Sequence, residues 1–383
     1  MKLLFVSDHI FLKFQGKVYS DKFSYDILSR YLIVFDTMTV ISRVREVDNI
    51  GDTLLAEGKG VVFYFMPSIS SLKSFLGQRK GVKKQINEIL INHDALIARL
   101  PSELGFISCD LAEKNKIMYA VEIVGCGWEA YWFYGNLKAK IYSFYIYSKM
   151  RFIIGKSKNS LYVTESFLQK RYPSHRLANI ENVSNVELMK TEDYVLDSRV
   201  KKINEEINKK IFGTIGSLKT NYKGIHLALR ALSEVDFDFE YRILGDGIFI
   251  KKYKMLSKEL NIENKVVFEE VIAEREMVLK WLDNIDIYLQ PSLTEGLPRA
   301  LIEAMSRGCP CVGSDAGGIT DLLNNQCIFE VNSYVKLKNI INEISFDKSQ
   351  LLFLAKENFE ESKKYQKEIL EDKRTKFLMN LKN

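Results

Sequence analysis

The chain has few cysteines, few histidines and no long apolar run, and each shortage removes a class of protein. Five cysteines in 383 residues (Cys109, Cys126, Cys309, Cys311 and Cys327) are an odd number without a zinc-ligand spacing, so free thiols are expected and a disulfide scaffold is not. No apolar stretch approaches the roughly 18 residues of a membrane-spanning helix, and the opening Met1–Val6 run meets Asp8 and His9 too soon for a signal peptide. A cytoplasmic protein is expected. A net charge of +6 without a long basic block argues against nucleic acid and favours a small anionic partner such as a phosphorylated substrate. With 383 residues, 46% of them hydrophobic, the chain exceeds one typical core and suits two globular domains.

The most informative stretch that is present is LQPSLTEGLPRALIEAMSRGCPCVGSDAGGI, Leu289 to Ile319. Asp286–Gln290 is a short apolar run closed by Pro291 and Ser292, which predicts a buried strand feeding a loop. Pro298 suits the first position of a following helix, and Gly308 and Pro310 stop it. Leu297, Leu301, Ala304 and Met305 form its core-facing stripe, leaving Glu303 off the stripe on the second turn. Helical side chains lean toward the N-terminus, so Glu303 is expected to point back to the loop carrying Glu295, and both carboxylates can converge on one ligand. Open parallel sheets bind ligands at such strand mouths, where helix N-terminal N–H groups suit phosphate and carboxylates suit sugar hydroxyls.

Glu295 and Glu303, separated by seven residues within EGLPRALIEAMSRGCP and followed by Gly317-Gly318, resemble the signature of the family 4 glycosyltransferases. Glu360 and Glu368 repeat the spacing without the preceding strand or the glycine turn. The resemblance implies a retaining enzyme of the GT-B fold, with two doubly wound, Rossmann-like α/β domains facing across a cleft. The expected divisions are an acceptor-side domain over 1–187, a polar linker over 188–207, a nucleotide-sugar-binding domain over 208–347, and a helical segment over 348–383 that crosses back to the first domain.

In the second domain, IFGTIGSLKTNYKG is a strand, a glycine turn at Gly216 and a helix start, the arrangement that binds phosphate. The family places an arginine after that glycine and a lysine six positions later. Here Ser217 replaces the arginine and Lys223 stands at the lysine position. By resemblance, Lys223 meets the diphosphate, Glu295 and the N–H groups of Gly296 and Leu297, ahead of Pro298, meet the transferred sugar and phosphate, and Glu303 meets the ribose. The loop with Glu270, Val271 and Ile272 meets the base. Strand–helix alternation through the turn Gly245-Asp246-Gly247 predicts a doubly wound parallel sheet, and that turn is too short for a dinucleotide fingerprint.

In the first domain, Lys2–Ser7 reads as a strand and DHIFLKFQGKVYSDK as a loop, with only Gly16 where the family often has a Gly-Gly pair. The family's histidine is also missing, since only His9, His93, His175 and His226 occur. Arg99, Glu122 and Trp128, after or at the ends of two buried strands, are the acceptor-side candidates, although Glu122 reads first as a strand-end glutamate paired with a lysine. Two segments leave alternatives open. Leu72, Phe75 and Leu76 beside Lys73, Arg79, Lys80, Lys83 and Lys84 fit a basic membrane-facing surface or an ordinary solvated face. The aromatic stretch Trp128–Phe152 fits sugar stacking, a membrane interface or inter-helix packing.

The resulting expectation is a metal-independent transferase without a cofactor, using a nucleotide diphosphate-sugar as co-substrate, with UDP placed first by family frequency. A polyprenyl-diphosphate-linked glycan of capsule, exopolysaccharide or O-antigen assembly is the expected acceptor, met at the cytoplasmic face of the inner membrane. The absent arginine and histidine leave a second expectation, a catalytically silent nucleotide-sugar-binding subunit that regulates or scaffolds a transferase.

Overall fold

Runs of β-branched and aromatic residues closed by glycine, proline or asparagine become the strands of two largely parallel sheets. The computed structural model describes residues 1–67, 72–132, 137–206 and 208–382, with side chains for all but 72–76 and 382. It separates into two compact units, Met1–Val183 with Glu371–Asn383, and Ser184–Leu370. Among the described residues, no helix is long and apolar enough to cross a membrane.

Unit 1 comprises β1 (Lys2–Phe14), β2 (Lys17–Ser20), α1 (Tyr25–Ser29), β3 (Thr37–Glu46), β4 (Leu54–Leu55), β5 (Val61–Phe65), α2 (Leu72–Leu90), β6 (Ala95–Leu100), α3 (Glu103–Asn115), β7 (Met118–Ile123), α4 (Gly127–Trp132), α5 (Leu137–Lys156), β8 (Asn159–Tyr162), α6 (Phe167–Arg171) and β9 (Asn179–Asn182). Strands β5, β3, β1, β6, β7, β8 and β9 lie side by side and parallel, while β2 and β4 extend the far end of β1 in antiparallel fashion. The segment expected as a loop after the first strand is therefore a hairpin. Phe11 and Val18 bury themselves on it, and Gln15 and Gly16 turn with φ of 49° and 81°, as a two-residue hairpin turn requires. The register breaks between Val6 and Ile10, a bulge that holds Asp8 and His9.

Helix α2 runs unbroken through Gly77 and Gly81, with Val82, Ile86 and Leu90 buried one turn apart. The membrane-facing surface expected from Leu72, Lys73, Phe75 and Leu76 falls outside the described side chains.

Unit 2 contains α7 (Tyr194–Asn204), β10 (Lys209–Ile215), α8 (Ile225–Leu232), β11 (Asp238–Leu244), α9 (Ile250–Glu259), β12 (Val266–Glu269), α10 (Arg275–Asn284), β13 (Ile287–Gln290), α11 (Arg299–Ser306), β14 (Cys311–Ser314), β15 (Ile328–Phe329), α12 (Tyr334–Ile344), α13 (Lys348–Ser362) and the start of α14 (Lys367–Lys382). Its six parallel strands lie in the order β12-β11-β10-β13-β14-β15. Counted from β10, that is the doubly wound order 3-2-1-4-5-6, with a topological switch between β10 and β13. The stretch read as linker carries α7, whose polar composition hides Val195, Arg199 and Ile203 facing inward at successive turns. Arg199 is 3% exposed and donates to the carbonyls of Ile285, Leu282 and Arg307, so this segment is part of the unit's core.

Candidate functional site

The switch point brings together the loops after β10 and β13, where doubly wound sheets open a crevice. Strand β13 is buried throughout because it is a central parallel strand, and it ends on a polar residue, Gln290, with no exposed surface. A buried amide needs partners. The Tyr288 hydroxyl donates to Gln290 Oε1 at 3.1 Å, while Gln290 Nε2 donates to Ser292 Oγ at 2.8 Å and to Glu295 Oε1 at 2.9 Å. Ser292 Oγ and Lys223 Nζ each donate to the same Glu295 oxygen at 2.7 Å. Three donors thus fix one carboxylate oxygen, and the backbone N–H of Ile215 donates to Tyr288 at 3.2 Å, linking the network to β10.

Two glycines permit this proximity. At Gly317, φ is 56° and a Cβ would fall 1.9 Å from the Glu295 carbonyl oxygen, while the neighbouring Gly318 N–H donates to the Gly296 carbonyl at 2.8 Å. At Gly245, φ is 154° and a Cβ would fall 2.0 Å from the Gly216 carbonyl oxygen. The Gly317-Gly318 pair quoted from the sequence is therefore a floor beneath the Glu295 loop.

A cavity of about 380 Å³ opens beside Gly216, lined chiefly by Ile215, Leu244, Val271, Ile272 and Val278, with Ser217, Lys219 and Asp246 as its polar members. It collects four residues expected to contact the donor: Gly216, Ser217, Val271 and Ile272. Glu270 is exposed on the adjoining loop. The carbon stem of Lys223 passes 3.0 Å from where a Gly216 Cβ would stand, so the lysine leads from the cavity to Glu295. Asp246 and Lys219 were not expected; the tight turn after β11 carried the signal for Asp246, and nothing in the pattern marked Lys219.

Gly296 and Leu297 are half-buried, and their N–H groups donate to no acceptor among the described residues, while Pro298 is buried at the start of α11. Glu303, expected to be freely available, is only 8% exposed. Its carboxylate has no hydrogen-bond partner among the described residues, and burial pushes its pKa up against the opposing pull of Arg299 and Arg275.

In unit 1, Arg99 Nη1 donates to Glu122 Oε2 at 3.2 Å, and the buried Tyr31 hydroxyl donates to Glu122 Oε1 at 2.6 Å. The partner of Glu122 is thus an arginine with a tyrosine, where a lysine was the expected one, because Arg99 is its register neighbour on β6. Trp128 is half-buried, stacked on Trp132 at 4.9 Å, and its backbone N–H donates to the Tyr172 hydroxyl.

The family model described as "Glycosyl transferases group 1" matches residues 197–370. Protein CapJ of Staphylococcus aureus is 34% identical over 392 aligned residues, which cover all of this chain and 96% of that protein. The chain belongs to the group 1 glycosyl transferases. Others among its relatives match over 28–38% of their length. The amylovoran biosynthesis glycosyltransferase AmsK of Erwinia amylovora is 35% identical over 115 residues, 28% of each chain. The UDP-Gal:α-D-GlcNAc-diphosphoundecaprenol α-1,3-galactosyltransferase of Escherichia coli is 28% identical over 115 residues, 29% of each chain. Among solved structures, HepE of Anabaena in complex with UDP superposes with a TM-score of 0.68 at 14% identity, covering 99% of this chain and all of the other. The shared fold is GT-B.

Proposed function

We propose that this group 1 glycosyl transferase moves a sugar, with retention at the anomeric carbon, from a nucleotide diphosphate-sugar to a lipid-linked glycan in surface polysaccharide assembly. The observation that carries the donor reading is the continuity from the apolar cavity, over Gly216 and the Lys223 stem, to Glu295 at the switch point. A nucleobase fits the apolar cavity, the diphosphate lies along Gly216 and Ser217 toward Lys223, the ribose meets Glu303, and the sugar meets Glu295 and the N–H groups of Gly296 and Leu297. HepE, a fold neighbour, was solved with UDP, which supports a uridine nucleotide. The polysaccharide and lipid-diphosphate parts of the reading draw on the names of AmsK and the galactosyltransferase.

The chemistry follows from charge. As the glycosidic bond to phosphate breaks, negative charge grows on the leaving diphosphate, and Lys223 with the loop N–H groups stabilises it without a metal. Lys223 then exchanges Glu295 for phosphate, while Gln290 and Ser292 keep Glu295 in place for the sugar hydroxyls.

Calorimetry with UDP, GDP, ADP and their sugars on wild type and Glu303→Ala tests this. One nucleotide class should bind tightly and lose about 1.5–3 kcal/mol in the variant, as expected for hydrogen bonds to a charged group. Binding indifferent to Glu303 removes the donor assignment. Donor binding without hydrolysis or acceptor-dependent transfer identifies a silent subunit instead.

A further inference from the structure

Helix α5 of unit 1 has two apolar faces and only one core to serve. Ala139, Ser143, Ile146, Met150, Ile153 and Ile154 are buried against the unit. On the opposite side Leu137, Ile141, Phe144 and Phe152 are 75%, 65%, 57% and 53% exposed. At 3.6 residues per turn these four fall within an arc of roughly 80°, the width of an amphipathic stripe. Scattered exposed leucines are ordinary, whereas four large apolar side chains on one arc are a patch.

Cations flank the stripe on both edges, and the acids paired with two of them come from α3. Lys138, Lys149 and Lys156 run along one edge and Lys140 and Arg151 along the other, and Leu137–Lys156 contains no aspartate or glutamate. Lys149 and Lys156 pair with Asp110 and Glu113 of α3, yet their ammonium groups stay 5.6 and 4.5 Å from the Phe152 ring. Lys138 makes no ion pair among the described residues, and Lys140 stands 5.2 Å from the Trp132 ring. Phe144 meets the edge of Trp128 at 4.6 Å, and Trp128 stacks on Trp132, so indoles with polar N–H groups back the stripe.

We propose that α5 lies in the plane of an anionic membrane surface, with Leu137, Ile141, Phe144 and Phe152 at the acyl boundary and the flanking cations among the headgroups. Apolar burial and headgroup attraction then act together, and long basic side chains reach the phosphates while their stems stay in the apolar zone. A second copy of the helix fits poorly, because two such faces would bring together Lys138, Lys140 and Arg151 of each copy, six cations beyond those that Asp110 and Glu113 balance, without an acid from either helix. The inference rests on the transferase reading only for its purpose, since a lipid-linked acceptor presents its diphosphate at that surface.

Flotation of the full chain with phosphatidylcholine vesicles, with and without about 30% phosphatidylglycerol, tests the proposal. Binding should require the anionic lipid and fall about tenfold between roughly 0.05 and 0.5 M salt. Ile141→Ser with Phe144→Ser should lower partition at least about tenfold, Lys138→Glu with Lys140→Glu several-fold, and Ser148→Leu, on the same stripe, should raise it. The circular dichroism melt and nucleotide affinity of the serine variant should match wild type, because both positions are exposed. Equal flotation of wild type and serine variant, or equal binding to neutral vesicles, overturns the proposal. So does a dimer in light scattering that the serine substitutions disperse. No nucleotide sugar enters the assay, so its failure leaves the transferase reading standing, and loss of nucleotide binding leaves this one standing.

Discussion

Each unit holds a largely buried carboxylate against a cation near the mouths of its parallel strands, and the two pairs are built differently. In unit 1, Arg99 and Glu122 are register partners on adjacent strands, closed by the Tyr31 hydroxyl, with the guanidinium 4.9 Å from the Phe23 ring. In unit 2, Lys223 and Glu295 come from loops 72 residues apart, and neither lies on a strand. A pair locked into the sheet has no freedom to change partners, so its main contribution is to the core. A pair between loops, at a switch point, can exchange one partner for a ligand. We infer that the same chemistry serves the core in one place and a ligand in the other because of what carries it.

The largest expected effect separates the two pairs. Glu295→Ala should lower donor-dependent transfer by about 10²–10³-fold, and should lower the melting midpoint as well, since it takes an acceptor from Lys223 and from the buried Gln290 amide and Ser292 hydroxyl. Glu122→Ala should cost about 3 kcal/mol in urea denaturation, because it strands Arg99 and the Tyr31 hydroxyl in a buried place, and should leave nucleotide affinity unchanged. If instead Glu122→Ala kept its stability and lost acceptor-dependent transfer, the comparison would break and Arg99 with Glu122 would be acceptor contacts.

Glu303 sharpens the comparison from the other side, as a buried carboxylate with no hydrogen-bonded partner among the described residues. Its folded pKa is raised, so the folded state binds its proton more tightly than the unfolded state does. Stability is then greatest below the ordinary carboxylate range and falls as pH rises through the raised value. Above that raised value the ionised group opposes folding. Glu303→Gln should therefore raise stability by about 1 kcal/mol while weakening nucleotide binding, the exchange typical of a residue kept for function. A variant that is both less stable and unaltered in binding would make Glu303 an ordinary structural residue.

How much of this was legible depends on how local the signal is. The order of unit 2 and the Glu295–Glu303 context could be read because each strand, loop and helix start is marked by residues within a few positions. Lys223 was found as a residue but its bond to Glu295 was not, since no periodicity relates positions 72 apart. The hairpin of β1 and β2 was missed because Asp8, His9 and the Lys residues mask an alternation that the Gln15-Gly16 turn completes. Helix α7 was missed for a related reason: a buried arginine looks like a linker residue until the carbonyls it caps are known. The stretch Trp128–Phe152 is aromatic on both faces, so only coordinates separate packed Trp128, Tyr142 and Tyr147 from exposed Phe144 and Phe152; Phe133 and Tyr134 lie outside the described residues.

The smallest expected effect concerns acid. His9 sits in the β1 bulge between the rings of Phe11 and Phe23, with Nε2 2.8 Å from Ser20 Oγ. Burial pushes the imidazole down to about 4; Asp21 pulls it back up, and Lys22 and Arg99 push it down further. The folded state therefore keeps the ring neutral while the unfolded chain takes up a proton below roughly 6.5. Stability should fall as pH drops from about 6.5 through about 4 and level off below, a change of about 1 kcal/mol once the partial solvation of the ring is allowed for. His9→Gln can hold the same hydroxyl without titrating, so the gap between wild-type and variant Tm should narrow or reverse toward pH 4.5. A gap that stays constant with pH would mean that His9 is solvated as freely in the folded unit as in the unfolded chain. The packing around the bulge, and with it the setting of the Arg99–Glu122 pair, would then be looser than the ring contacts imply.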